Sequence, residues 1–159
     1  MPLTIPKFQR NADAIVAYVQ QPHIAELFRP REGHLSHGDT YGHSSRFSSL
    51  LSEDMPKELV NLIFSGGGWD EDLKDFYQFI QIQRYMPGDY IAPHQDKYAI
   101  KKLHLVCLTT SQSNGFYVFE DDRLHRIDDE AGAKIEFEYD AVHFVPTCNY
   151  ERYSLVIAE

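Results

Sequence analysis

The chain has 159 residues, 43% of them hydrophobic and 13% aromatic, enough to build one compact domain with a packed core and too few to expect a second. A formal charge of −9 opposes the long basic footprint that a nucleic-acid substrate requires. The two cysteines, Cys107 and Cys148, are too few for a disulfide framework, the first residues resemble no signal peptide, and no apolar run approaches a membrane span. The expected setting is therefore reduced and cytoplasmic, away from membranes.

The first half reads helical. Asn11 is placed to cap a segment in which Ala14, Ile15, Ala17, Tyr18, Ile24, Leu27 and Phe28 recur, interrupted at Pro22. This predicts one helix followed by a short second turn, packed outside a sheet. Arg31 to Ser49, rich in Gly, Ser and His, reads as a loop, with one short strand around Arg46 to Leu51. A helix is expected from Ser52 to about Phe64. It has Glu53 and Asp54 at its start, Pro56 in its first turn, and Leu59, Val60, Leu62 and Ile63 on its buried side. Ser65 and the glycines that follow stop it.

From Phe76 the hydrophobic period changes to two. Strands are expected at Phe79–Tyr85, Tyr90–His94, Leu103–Thr110, Phe116–Glu120, Arg123–Ile127, Lys134–Glu138, Ala141–Val145 and Tyr153–Ala158. Turn signals separate them at Pro87-Gly88, Asn114-Gly115 and Ala131-Gly132, and the acidic run Glu120-Asp121-Asp122 reads as a hairpin tip. Strands in this number after a helical start predict a mainly β chain, an antiparallel double sheet of jelly-roll type. Helical support would span about 1–78 and the core about 79–158.

His94 and Asp96 stand two apart at the end of a predicted strand, so the pleat sends both side chains to one side. His143 lies on a much later strand that a sheet can return beside them. Two imidazoles and one carboxylate leave half an octahedral metal open, the ligand set of mononuclear non-haem Fe(II) oxygenases, whose vacant positions take a co-substrate and O₂. Arg152 and Ser154, also two apart, make a fork for a carboxylate. The co-substrate inferred from them is an acid reaching from the metal to the far end of the pocket.

Three stretches, Tyr85 to Asp96, the Asn114-Gly115-Phe116 turn into a strand, and His143 to Ser154, resemble the Fe(II)/2-oxoglutarate-dependent dioxygenases in their prolyl-hydroxylase-like branch. The likeness covers residues 79–158. It implies a double-stranded β-helix, a cupin-like jelly roll supported by helices, with His94, Asp96 and His143 as iron ligands. It further implies Arg152 and Ser154 on the distal carboxylate of 2-oxoglutarate, Tyr85 reaching the co-substrate, and O₂ as oxidant with succinate and CO₂ released. Two departures stand out. A tyrosine common on the third core strand is replaced by Cys107 or a neighbour, for which Tyr117 is a candidate substitute, and the strand after Gly115 reads Phe-Tyr-Val-Phe. The carboxylate Asp96 argues for hydroxylation or desaturation over halogenation.

Other polar residues carry blander readings. His34, His37 and His43 fit no metal template and read as loop histidines, His104 and His125 as strand histidines, and Cys107 as a small buried hydrophobe. Arg46, Tyr41, Trp69, Lys97 and Tyr98 are candidates for the substrate mouth, and an ion pair with Glu151 or Glu138 is the structural alternative for Arg152. The expectation is a single-domain oxygenase hydroxylating a small molecule, an amino acid or a peptidyl residue. Its rivals are a non-catalytic cupin-like metal-binding or sensor domain, and a cupin isomerase or cofactor-independent dioxygenase.

Overall fold

The computed structural model describes residues 2–35, 43–69, 80–96 and 102–158. The elements run in chain order as β1 (Leu3–Ile5), α1 (Ala12–Val19), α2 (Pro22–Ala25), β2 (Arg29–Leu35), β3 (His43–Leu51), a 3₁₀ turn (Ser52–Asp54) and α3 (Lys57–Gly66). They continue as β4 (Ile80–Tyr85), β5 (Tyr90–His94), β6 (Lys102–Cys107), β7 (Ser111–Glu120), β8 (Arg123–Asp129), β9 (Lys134–Glu138), β10 (Val142–Val145) and β11 (Arg152–Ala158).

The antiparallel sheet order β9-β6-β11-β4 forms one half and β5-β10-β7-β8 the other, with β3 bridging β4 to β5 and β2 flanking β3. From β4 onward the chain passes repeatedly between the halves, which curl toward each other as a jelly roll. Alternation explains the layering. On β4, Ile80 and Ile82 point outward while Gln81, Gln83 and Tyr85 point between the halves. β11 is buried along its whole length because both of its faces are covered: Tyr153, Leu155 and Ile157 outward, Arg152, Ser154 and Val156 inward.

The helices cover that outer face as expected, Ile15, Val19, Leu59 and Ile63 packing against Ile80, Ile82, Leu155 and Ile157. The caps differ from expectation. Asn11 precedes α1 but does not cap it with its side chain; its Nδ2 donates instead to the Leu62 carbonyl at 2.9 Å, while Gln9 Nε2 and Trp69 Nε1 each donate to the Ile63 carbonyl at 2.8 Å. Three side chains thus satisfy carbonyls that the end of α3 leaves without helical partners. Trp69, expected at the substrate mouth, is spent here. Pro56, with an extended ψ of 152°, stands before α3 rather than inside its first turn, so Ser52–Asp54 become a separate turn.

Three strand expectations need correction. The loop expected from Arg31 contains β2, paired with β3 residue by residue from Arg29↔Ser49 to Leu35↔His43, and β3 begins at His43 rather than Arg46. Backbone pairing makes this hairpin, whose polar sequence carries no alternation to signal it. Asn114-Gly115 is an irregularity inside β7, where the register to β8 shifts between Ser111 and Gly115. β1, which pairs with the edge of β9, had no sequence signal. Elsewhere Asp121 and Asp122 take φ of 55° and 58° at the expected hairpin tip, and Gly88 and Gly132 take positive φ at two expected turns.

Candidate metal centre and its cavity

The Pro87-Gly88-Asp89 turn ties the end of β4 to the segment before β11. Asp89 Oδ2 accepts from the Met86 amide at 2.9 Å, the Gly88 amide donates to the Cys148 carbonyl at 2.8 Å, and the Cys148 amide donates to the Asp89 carbonyl at 2.8 Å. The end of β4 is thereby pinned beside the start of β11, with Tyr85 opposite Arg152. β5 then runs back along the cavity and delivers His94 to the other end, in register with His143 of β10.

Asp96, two residues past β5, completes the cluster. His143 Nε2 lies 3.0 Å from Asp96 Oδ2 and His94 Nε2 lies 3.4 Å from Asp96 Oδ1, and one donor atom from each residue falls within 4.8 Å of the others. The far side of each ring is fixed by its own strand: His94 Nδ1 donates to the Ala92 carbonyl at 2.8 Å and His143 Nδ1 to the Ala141 carbonyl at 3.0 Å. Those acceptors require the proton on Nδ1, which turns the Nε2 lone pairs toward Asp96. Burial raises the Asp96 carboxyl; hydrogen bonding and charge from His143, then His94, would outweigh it and lower the group if those rings carried a second proton on Nε2. Two lone pairs and a carboxylate converging in a buried site repel one another unless a cation stands between them. Donor atoms on right-angled ligand legs of about 2.1 Å sit about 3 Å apart, close to the 3.0 and 3.4 Å that separate Asp96 from the two imidazoles. The residues fit a divalent metal.

The cluster opens on a cavity of about 380 Å³. Its walls are apolar at Leu103, Leu105, Phe116, Phe137, Val145 and Val156, and polar at Arg31, Gln81, Gln83 and Tyr85. Tyr85, fully buried, donates its hydroxyl to Gln83 Oε1 at 3.2 Å, stacks on Phe47 with ring centres 5.0 Å apart, and is kept protonated by burial. The Arg152 guanidinium packs 5.3 Å from the centre of the same ring, and Arg152 and Ser154 lie behind the cavity lining that Tyr85 forms.

Arg152 has a partner that the sequence did not suggest. Its Nε donates to Asp129 Oδ2 at 2.9 Å, rather than to Glu151 or Glu138, and its Nη1 donates to Ser154 Oγ at 3.4 Å. Nη2 is buried and has no hydrogen-bond partner. An orphaned guanidinium nitrogen behind the Tyr85 wall of the cavity has the chemistry to take one carboxylate oxygen of an acid. Tyr150, another residue without a sequence signal, donates to Asp129 Oδ2 at 2.7 Å.

No protein-family model matches the sequence and no curated protein matches it, but solved structures do. A prolyl-4-hydroxylase from Pseudomonas putida superposes with a TM-score of 0.70 at 15% identity, covering 99% of this chain and 92% of that one. A Trichoplax adhaerens prolyl hydroxylase, solved with a hypoxia inducible factor peptide fragment, gives 0.69 at 13%, covering 99% and 82%. A Burkholderia pseudomallei oxidoreductase of the 2OG-Fe(II) oxygenase family gives 0.63 at 18%, covering 99% and 84%. The chain has the 2OG-Fe(II) oxygenase fold. Within this fold His94, Asp96, His143 and Tyr85 line one cavity, while Arg152 and Ser154 lie behind its Tyr85 wall and do not line it.

Other expectations fall elsewhere. Tyr117 does not supply a hydroxyl to this cavity: it stacks on Phe144 on the opposite side of the sheet from Phe116 and Val118. Cys107, opposite Ser154, is buried with its Sγ 3.9 Å from Asp129 Oδ1. Arg46 pairs with Asp89 at 3.3 Å, His104 lies 3.5 Å from Glu136, and His125 meets the Glu120 carbonyl at 3.0 Å. Tyr41, His37, Lys97, Tyr98 and the side chains of His34 and His43 lie outside the described residues. Among the described residues no helix is long and apolar enough to cross a membrane.

Proposed function

We propose that this chain, acting as one catalytic unit, is an Fe(II)- and 2-oxoglutarate-dependent oxygenase that hydroxylates a small molecule, an amino acid or a peptidyl residue. The observation that carries the proposal is the convergence of His94, Asp96 and His143 on a cavity behind whose Tyr85 wall lies the orphaned guanidinium nitrogen of Arg152. His94, Asp96 and His143 would hold the iron; Arg152, with Ser154 and Tyr85, would hold the distal carboxylate of 2-oxoglutarate. Bound together with O₂, these groups supply an oxidant for an unactivated C–H bond, with succinate and CO₂ as co-products.

The protein's share is placement. Ala92 and Ala141 carbonyls keep both imidazoles in the ligating tautomer. Asp129 neutralises Arg152 and fixes its plane. Phe116 and Phe137, with rings 5.8 and 4.9 Å from His143, line the metal-facing wall and exclude water from it. The cavity volume falls at the small end of the roughly 300–1,000 Å³ common for small-molecule sites, which supports a small substrate or a single inserted side chain. The two free, buried cysteines support a reducing, cytoplasmic location.

Release of succinate from 2-oxoglutarate by iron-loaded protein in air is the decisive assay. Turnover that requires Fe(II) and disappears in Asp96→Ala is expected; no iron-dependent turnover under any substrate mixture would overturn the reading. The Arg152–Asp129 pair favours one rival, a non-catalytic metal-binding domain in which Arg152 is purely structural. That rival predicts metal binding without 2-oxoglutarate binding, and calorimetry on Mn(II)-loaded protein separates the two.

A further inference from the structure

The strand registers set four inward-facing residues in one row. Arg31 of β2 stands opposite Phe47 of β3, Phe47 stacks on Tyr85 of β4 with ring centres 5.0 Å apart, and Tyr85 stands opposite Arg152 of β11. Cross-strand neighbours share a face, so the row carries an arginine at each end and two aromatic rings between them. The two cations differ in access. Arg152 lies behind the Tyr85 wall, with its Nε on Asp129 and its Nη1 on Ser154. Arg31 lines the cavity itself, the one arginine or lysine among the described residues to do so, and its Nε is buried without a hydrogen-bond partner.

An acid that enters this cavity therefore meets Arg31 first. The charge of Arg152 is already matched by Asp129, and the one carboxylate among the lining residues, Asp96, belongs to the metal cluster. A carboxylate placed among Leu103, Leu105, Phe116 and Phe137 is strongly disfavoured unless a cation and hydrogen-bond donors meet it. Arg31 supplies both, and a buried guanidinium nitrogen without a partner is itself destabilising until something accepts from it. One molecule is long enough to use both ends of the cavity. The terminal carbons of a five-carbon diacid are about 5 Å apart, given C–C bonds near 1.5 Å. A metal bond of about 2.1 Å at one end and a hydrogen bond of about 2.8 Å at the other extend its reach to roughly 10 Å.

We propose that Arg31 is a binding residue for the co-substrate: it takes the distal carboxylate of 2-oxoglutarate on the cavity side of the Phe47–Tyr85 stack, while Arg152 reinforces the same pole from behind Tyr85. The clamp then has two arginines, one on the flanking β2–β3 hairpin and one on β11, at the two ends of a single row. The assignment rests on the oxygenase reading, which supplies the diacid.

The test is calorimetry on Mn(II)-loaded protein without oxygen. The probes are 2-oxoglutarate and 2-oxoglutaramate, the same keto acid with its distal carboxylate replaced by a primary amide, so that the metal-binding end is identical in the two. The unmodified protein should bind 2-oxoglutarate about 10- to 100-fold more tightly than the amide, the preference expected of charge-assisted hydrogen bonds. Arg31→Gln should remove most of that preference by weakening 2-oxoglutarate alone, with the amide and Mn(II) affinities unchanged within about two-fold, since neither uses the guanidinium charge. A purely structural role for Arg31 would instead weaken both keto acids alike. Arg31→Lys keeps the charge and loses the fork, so its preference should fall by at least about three-fold and remain above that of Arg31→Gln; this variant decides the matter if Arg31→Gln fails to fold. An undiminished preference in the variants, an equal loss of both keto acids, or equal binding of the two by the unmodified protein would each overturn the role of Arg31 and leave the oxygenase reading standing. Mn(II) binding with no binding of either keto acid by the unmodified protein would overturn the oxygenase reading, and the assignment with it.

Discussion

Arg152 and Asp129 form a buried ion pair at 2.9 Å, each side chain only 1% exposed. Burial alone would lower the Arg152 pKa, but the charge of Asp129 outweighs it and keeps the guanidinium protonated. The pair also takes one edge of the fork out of use and leaves Nη2 as the nitrogen without a partner.

Removing one member of this pair should be costly, because the other remains buried and charged. Asp129→Ala should lower unfolding free energy by about 3–5 kcal/mol, and Asp129→Asn by less, since an amide oxygen still accepts from Nε. Urea titration of the two variants reads the difference. A loss below about 1 kcal/mol in Asp129→Ala would show that the pair behaves as if solvated.

Metal affinity should follow the triad alone. Asp96→Ala and His143→Ala should weaken Mn(II) binding by at least about 100-fold, beyond the range typical of outer-sphere changes. Arg152→Ala should leave Mn(II) affinity within a few-fold and weaken 2-oxoglutarate instead. Parallel loss of metal and 2-oxoglutarate in Arg152→Ala, read by the same calorimetry, would make Arg152 a structural residue.

Two glycines with positive φ should respond differently to alanine. Gly88, at φ 96°, has open space where a Cβ would go, so Gly88→Ala should cost about 1–2 kcal/mol from backbone conformation alone. At Gly132, φ 89°, the same Cβ would lie 2.7 Å from the Gln9 carbonyl oxygen. The Gln9 amide also donates to the Gly132 carbonyl, so the clash disturbs a bond that ties the N-terminal segment to the sheet. Gly132→Ala should therefore be the more destabilising by at least about 1 kcal/mol; equal thermal shifts would contradict this.

Burial pushes both thiols up, Cys107 to about 11 and Cys148 to about 11, with Arg152 pulling each back. An exposed thiol ionises near pH 8.5. Below that pH both states keep the proton and the contribution to stability is fully present. From roughly pH 8.5 to 11 the unfolded chain releases protons that the folded chain retains, so stability falls as pH rises. A Cys107→Ala, Cys148→Ala double variant should show a shallower fall between pH 8.5 and 10 in urea titrations, and identical slopes would mean that both thiols ionise normally in the folded protein.

The His94–Asp96–His143 cluster was legible because each of its parts depends on a local rule. Alternation put His94 and Asp96 on one side of a strand end, and the count of strands returned His143 beside them. Asp129 was not legible. It follows Asp128 at the end of β8, and their side chains are 1% and 64% exposed, yet nothing in Asp128-Asp129 says which one turns inward. That choice depends on the β7–β8 register, which shifts at Gly115. The hairpin bearing Arg31 was hidden for a related reason. Arg29–Leu35 and His43–Leu51 are rich in polar residues, so the sequence lacks the apolar alternation that announces other strands.

By itself the amino-acid order determined the helical start, the succession of short strands and the identity of the three metal-ligating candidates, all consequences of spacing along a few neighbouring residues. Only the folded chain decided that Asp129 neutralises Arg152, that Trp69 and Asn11 close a helix end, and that Arg31 and Gln81 both line the cavity. Those outcomes are pairings between residues distant in the chain, set by sheet register and bulges, and no local periodicity encodes them.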